Sequence, residues 1–123
     1  MSFTAITQDV LVSPGVGAYN MYASGNLLKG QGVYLADDKT VAVPTDSSKR
    51  LFGIVQSNVN HGDPVAIYGP YNIVYCSLSG SVTAGTFVGL ISEGYLSNSS
   101  DYSSQAIVIK GTTSTGDGKI LIL

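Results

Sequence analysis

Few residues in this chain belong to types that carry out chemistry. His61 is the only histidine and Cys76 is the only cysteine, so no second ligand of either type completes a zinc site or a disulfide. Cys76 ends the apolar run Ile73–Cys76, which predicts a buried, unreactive thiol. His61 is followed by Gly62 and Asp63, which predicts a turn with an exposed imidazole. No metal site is therefore predicted.

Other catalytic patterns are equally sparse. No Gly-x-Ser-x-Gly elbow supports a serine nucleophile, and Gly15-Val16-Gly17 precedes no predicted helix that would bind a nucleotide. Glu93 is the only glutamate, so paired catalytic carboxylates would have to come from aspartates in predicted turns. We predict that the protein is not an enzyme and uses no cofactor. The alternative within catalysis is a small hydrolase with His61 as its base.

Composition narrows the partners. The 123 residues suit one domain, and 44% of them are hydrophobic, which excludes a disordered chain. With six basic residues scattered along the chain and a net charge of −2, no basic face for nucleic acid is expected. No basic amphipathic helix or long apolar run predicts a membrane contact. Charged residues make up only 11%, so the surface either is covered by copies or a partner, or is built from neutral polar residues.

The aromatic residues suggest binding. Eight tyrosines stand beside three phenylalanines and no tryptophan, and tyrosine offers an interface a large contact area with a polar tip. Four tyrosines near predicted turns are interpreted as partner-binding: Tyr19, Tyr22, Tyr68 and Tyr71. The alternatives are ordinary half-buried packing and sugar binding, although lectin sites usually use tryptophan or calcium.

The local pattern predicts an all-β fold, a compact β-barrel or β-sandwich of short antiparallel strands. Short runs rich in valine, isoleucine, tyrosine and threonine alternate with turn residues, and no helical period is present. Strands are predicted at 3–12, 32–36, 40–43, 51–56, 64–68, 72–78, 86–91, 94–97, 105–110 and 119–123.

An internal two-fold repeat is suggested by a shift of 55 residues. The shift superimposes identical residues, among them Gly30 on Gly85, Val33 on Val88 and Ile54 on Ile109. Similar strand and turn composition alone is the alternative explanation.

The chain is predicted to divide into residues 1–26, an N-terminal arm with an irregular glycine- and tyrosine-rich segment, and a β domain at 27–123. The segment 13–26 would tether the strand 3–12 like a leash and let it pair with another chain. Pairing with its own sheet is the alternative. The arm residues interpreted as partner-binding are Phe3, Thr4, Ala5, Ile6, Val10 and Val12.

The sequence Gly32–Val43, then Leu51-Phe52-Gly53-Ile54-Val55 and then Val65–Tyr75 resembles the head decoration proteins of tailed phages. That family has a hairpin around an Asp turn, a polar loop, a strand that starts near an apolar-Gly-Ile/Val step, and an aromatic-bearing strand. The resemblance implies a β-tulip-like fold with an extended N-terminal arm.

The resemblance also implies a function and a place. It indicates a virion protein on the capsid surface, made in the host cytoplasm, that binds the major capsid protein and stabilises the capsid by cross-bracing. Self-association as a homotrimer is implied as well. The alternative function is a fibre-base or a carbohydrate- or receptor-binding β module.

Overall fold

The computed structural model describes residues 3–15 and 17–123. These residues form eleven strands and one turn of 3-10 helix, Ser92–Gly94, so the predicted all-β class is confirmed. No helix in this part of the chain is long and apolar enough to cross a membrane. The strands are β1 (Leu11–Ser13), β2 (Ala18–Ala23), β3 (Gly32–Asp37), β4 (Thr40–Ala42), β5 (Gly53–Val55), β6 (Pro64–Tyr68), β7 (Ile73–Leu78), β8 (Phe87–Leu90), β9 (Leu96–Ser97), β10 (Ala106–Lys110) and β11 (Gly116–Ile122).

The first five strands after β1 close into a small barrel, here called barrel one, in the order β2-β4-β3-β5-β6. β2 pairs antiparallel with β6 and parallel with β4, and these two pairings close the ring. Every second residue of a strand faces inward, and these inward positions hold apolar side chains. Its buried side chains are Met21, Ala23, Leu27, Val33, Val41, Val55, Val65 and Ile67.

Strands β7 to β11 form barrel two in the order β7-β11-β10-β8-β9. A parallel pairing of Leu78 with Leu96 closes the ring between β7 and β9. β1 pairs with the first part of β7, with Leu11 opposite Val74. Barrel two therefore carries one extra strand that barrel one lacks.

The predicted two-fold repeat is present in the strand pairing. Each barrel has the same sequence of parallel and antiparallel partners, and β2 and β7 lie 55 residues apart. Equivalent backbone hydrogen bonds repeat as well: the Ser24 N–H donates to the Val41 carbonyl at 2.8 Å, and the Ser79 N–H donates to the Leu96 carbonyl at 2.9 Å. The repeat explains why strand lengths and turns recur along the chain.

The single shift of 55 needs one correction. Val33 lies opposite Gly53 in barrel one, whereas Val88 lies opposite Ala106 in barrel two, so the offset after the polar loop is 53 residues. The loop between β9 and β10 is two residues shorter than the loop between β4 and β5. The structural counterpart of Ile54 is consequently Ile107, and the predicted match to Ile109 is wrong by two positions.

The predicted irregular segment 13–26 is also corrected. It contains β2, which pairs with β6 from Ala18 opposite Tyr68 to Tyr22 opposite Pro64. The sequence of β2 has no β-branched residue, so local propensity did not reveal it, and the strand is held by its two neighbours instead. The predicted boundary after residue 26 falls between β2 and β3, inside barrel one.

The predicted extended arm is replaced by a segment that packs on its own chain. Of the predicted strand 3–12, only Leu11 and Val12 lie in a strand, β1, which pairs with β7 of the same sheet. Phe3, Ile6 and Val10 are buried at 8%, 3% and 2% exposure. The free energy gained by burying these apolar side chains against the barrels outweighs the conformational entropy that a free segment would keep.

The junction between the barrels is held by a buried amide. Asn72 has no exposed surface, and its Nδ2 donates to the Gly17 and Gly69 carbonyls at 3.0 and 2.9 Å. Its Oδ1 accepts the Gly15 N–H at 2.7 Å. Because each of these groups has a partner, the buried amide costs little and fixes the turn that leads from β6 to β7.

Candidate functional site

A groove lies on the outside of barrel one, where β3 runs beside the loop between β4 and β5. It has a volume of about 490 Å³. Tyr34, Leu35 and Ala36 of β3 form one side, and the loop residues 48–52 form the other. Tyr102, from the equivalent loop of barrel two, completes the lining.

Two cations in this groove rest on aromatic rings. The Lys49 Nζ lies 5.3 Å from the centre of the Tyr34 ring, and the Arg50 guanidinium carbon lies 4.2 Å from the centre of the Tyr102 ring. An exposed contact between a cation and an aromatic ring contributes about 0.5–1 kcal/mol of stabilisation, which helps to hold a long side chain in one position. The groove thus presents apolar and aromatic surface with positive charges fixed at its rim.

The loop that carries these cations is ordered by its own hydrogen bonds. Asp46 Oδ1 accepts the Ser48 hydroxyl at 2.6 Å and the Ser48 N–H at 2.9 Å. These two bonds hold the pKa of the Asp46 carboxyl below its ordinary value. The Asp101 N–H donates to the Ser47 carbonyl at 3.0 Å, which ties this loop to the equivalent loop of barrel two.

An aromatic pair continues the groove toward β2. The rings of Tyr19 and Phe52 lie 5.6 Å apart, and Tyr19 is 39% exposed. A methyl group added at Gly69 would lie 2.4 Å from Tyr19 Cε2, so glycine leaves room for this ring and a larger residue would displace it.

The other tyrosines interpreted as partner-binding are scattered. Tyr22 and Tyr71 are 52% and 63% exposed, and Tyr71 adopts a left-handed φ of 65° in the junction between the barrels. Tyr68 is buried, and its hydroxyl accepts a hydrogen bond from Gln56 Nε2 at 2.9 Å. Tyr68 therefore takes part in packing, whereas Tyr19, Tyr22 and Tyr71 present larger exposed surfaces.

The arm residues divide in the same way. Phe3 packs its ring against Tyr95 at 5.0 Å, and the Ile6 N–H donates to the Lys29 carbonyl at 3.0 Å. Ala5 is half-buried, Thr4 is exposed, and Val12 is 43% exposed. An interaction through the buried members would first have to detach the segment from both barrels.

Cys76 and His61, the two residues of reactive type, lie in different barrels, and the surroundings of each oppose reactivity. Cys76 is fully buried in barrel two, and burial raises the pKa of its thiol far above the ordinary range, as predicted for an unreactive cysteine. His61 lies in an exposed turn, also as predicted, and its Nδ1 accepts the Gly25 N–H at 2.7 Å. Within residues 3–15 and 17–123, no three potential metal ligands cluster.

Sequence reasoning missed the groove residues Tyr34, Lys49, Arg50, Phe52 and Tyr102. The dipeptide Lys49-Arg50 was a usable signal, because it is the only pair of adjacent cations in the chain. Tyr102 could not be placed beside it, because the polar loops meet only when the two barrels pack together.

The fold and the groove define a tandem β-barrel protein whose exposed features are suited to binding. Among solved structures it is similar to the head fiber gp8.5 N base of bacteriophage phi29, with a TM-score of 0.67 and 12% identity over 86% of this chain and 92% of that chain. At this identity the likeness concerns the fold. No protein family profile matches the chain, and no curated protein matches it.

Proposed function

We propose that this chain is a non-enzymatic structural component of a phage virion that is bound to the outer surface of the head. The observation that carries the proposal is the shared fold with a head fiber base over 92% of that chain. The buried Cys76 and the His61 ring held by a backbone N–H fit a role in binding better than one in catalysis.

The major capsid protein is the proposed partner, and cross-bracing is the proposed action. A cross-brace needs at least two contact surfaces on one chain. Exposed apolar residues are present on both barrels, with Leu35 and Tyr22 on barrel one and Phe87 and Ile109 on barrel two. Many modest contacts of this kind would add through avidity on a capsid with repeated sites.

A fibre base is the second candidate, and the fold likeness to a head fiber base favours it. A base attaches an appendage to the head and need not connect neighbouring capsid proteins. Cross-bracing by a decoration protein is therefore expected to stabilise the head, whereas attachment of a fibre is not.

Sedimentation of the purified chain with heads lacking surface proteins tests the shared part of the proposal. Binding is expected, and a chain that stays in the supernatant at all concentrations would overturn it. Heating the loaded heads then separates the two candidates. A cross-brace raises the temperature at which heads rupture, whereas a fibre base leaves it unchanged.

The exposed tyrosines give a residue-level test of the docking surface. Tyr71→Ser removes a ring that is 63% exposed, and we expect it to weaken head binding. Tyr75→Ser is the matched control, because Tyr75 is half-buried beneath Lys119, whose Nζ lies 5.2 Å from the ring centre. Equal binding by both variants and the parent chain would remove Tyr71 from the proposed surface.

A further inference from the structure

The contact between the two barrels joins two different surfaces. The surface of barrel one is a row of cross-strand neighbours on its outer face, Gly32 opposite Ile54 and Ile54 opposite Tyr68. Ile54 and Tyr68 are 0% and 8% exposed and belong to the core cluster of barrel two. We call these three residues the row of barrel one.

Barrel two receives this row at a seat centred on Leu90. A methyl group added at Gly32 would lie 2.6 Å from Leu90 Cδ1 and 3.2 Å from Leu96 Cδ1, so the backbone of the row presses directly on these side chains. Gln105 borders the seat and accepts the Leu51 N–H through its Oε1 at 2.5 Å. Leu90 is fully buried as a result.

Barrel two has the counterpart of the row, and it is uncovered. By the strand register, Gly32, Ile54 and Tyr68 correspond to Phe87, Ile107 and Leu121, which are again cross-strand neighbours. Phe87 is 50% exposed, and Ile107 and Leu121 are half-buried. A row of three large apolar side chains in register across three strands is unusual on a surface with no partner.

Barrel one has the counterpart of the seat, and it is open as well. Leu90 corresponds to Leu35, which is 53% exposed, and Gln105 corresponds to Phe52. Both Leu35 and Phe52 line the groove of about 490 Å³. The groove is therefore the unoccupied version of the site where barrel two accepts its neighbour.

We propose that copies of this chain associate head to tail, with the row of barrel two in one copy docking into the groove of barrel one in the next. The contact between barrels inside the chain is the pattern for the contact between copies. Phe87 replaces Gly32 in the row, and the groove supplies the volume that a phenyl ring needs and that the closely packed seat at Leu90 lacks. Because the two surfaces differ, the contact is heterologous and produces a closed ring or an open filament.

The test uses two variants that each damage one surface. Phe87→Asp places a carboxylate in the row, and Leu35→Asp places one in the groove. Both sites are exposed, so the variants are expected to fold, and thermal unfolding verifies this. Each variant should weaken self-association of the chain by at least about tenfold in Kd, measured by sedimentation velocity. Ser57→Asp, at an exposed position on neither surface, adds the same charge and should associate like the parent chain.

Mixing the two damaged variants is the decisive step. Phe87→Asp keeps an intact groove and Leu35→Asp keeps an intact row, so a heterologous contact predicts a one-to-one dimer that grows no further. The milder Phe87→Ala and Leu35→Ala replace either aspartate variant that unfolds. The proposal is overturned if the parent chain remains a monomer up to about 1 mM, if the single variants associate like the parent chain, or if the mixture forms no dimer.

Discussion

Leu35 and Leu90 occupy equivalent positions in the two barrels, yet Leu35 is 53% exposed and Leu90 is fully buried. The difference does not come from the barrels themselves, because both have the same strand order and the same closing pair. It comes from the neighbour: barrel one covers Leu90, and no part of the described chain covers Leu35. The comparison separates two requirements on the sequence. Inward positions must fill the barrel, and outer positions must match whatever neighbour covers them.

The interiors follow the folding requirement. Equivalent inward positions hold apolar residues that differ in size in some pairs, as in Met21 with Cys76 and Val41 with Leu96, and are identical in Val33 with Val88. Cores accept such exchanges when total volume and pattern are kept. The outer faces diverge more, since Gly32 is matched by Phe87 and Tyr68 by Leu121. Two repeats that keep the same interior but pack against different neighbours are expected to differ in this way on their outer faces.

The largest expected effect is on the covered seat. Leu90→Ala should lower the free energy of unfolding by about 2–5 kcal/mol, because it leaves a cavity between the barrels. Leu35→Ala is the matched variant and should cost no more than about 0.5 kcal/mol in dilute solution, since its side chain is already exposed. Urea unfolding monitored by circular dichroism measures both. Equal losses would mean that the two positions are not covered differently.

The next effect concerns the N-terminal segment, which covers barrel two and has no equivalent 55 residues later. Val10 is 2% exposed and packs in the cluster that contains Ile54 and Tyr68, whereas Val12 is 43% exposed. Val10→Ala should cost about 1–3 kcal/mol of unfolding free energy through lost apolar burial. Val12→Ala should change it by no more than about 0.5 kcal/mol.

The outcome for this pair also decides between the arm and the packed segment. If Val10→Ala and Val12→Ala are equally mild in urea unfolding, residues 3–10 are not anchored on the barrels and a free arm becomes the better description. A loss confined to Val10→Ala supports the packed segment.

Much of the fold could be predicted from the sequence because it depends on local pattern. The apolar runs of β3, β6 and β7, which are rich in valine, isoleucine and tyrosine, and the turn at Asp37–Lys39 were sufficient to place strands without a structure. The repeat was detectable because its first half keeps a constant offset. β2 was missed because its stability depends on pairing with β4 and β6, which local composition does not contain.

The candidate site was less predictable for a related reason. The groove forms where β3, one loop of barrel one and Tyr102 of barrel two meet, and no spacing in the sequence encodes that meeting. The packing of the arm could not be predicted from the sequence, because Phe3, Ile6 and Val10 have the same apolar pattern whether they pair with a partner or pack on their own chain. Such residues pack on their own chain only if the chain offers a matching surface, and here the junction of the barrels provides one.

The smallest expected effect is a pH dependence in one of the two equivalent polar loops. In barrel one the turn is made by Asp46, whose Oδ1 accepts the Ser48 N–H, whereas in barrel two a hydroxyl takes that role, as Ser100 Oγ accepts the Tyr102 N–H at 3.2 Å. Hydrogen bonds from the Ser48 side chain and backbone lower the pKa of Asp46 from its ordinary 3.8. A lowered pKa in the folded state means that the stabilising contribution is complete above about pH 4 and disappears as the pH falls through the folded pKa.

Carbon-detected NMR of the Asp46 carboxylate measures this directly. The titration midpoint should lie below 3.8 in the parent chain. Ser48→Ala removes the hydroxyl donor at 2.6 Å but keeps the N–H donor at 2.9 Å, so the midpoint should rise only part of the way back. Because Asp46 is fully exposed, water screens the interaction and the unfolding midpoint in urea should hardly move. A midpoint that Ser48→Ala leaves unchanged would show that the Ser48 hydroxyl does not stabilise the Asp46 carboxylate, and the lowered pKa would then depend on the Ser48 backbone N–H and on Lys49.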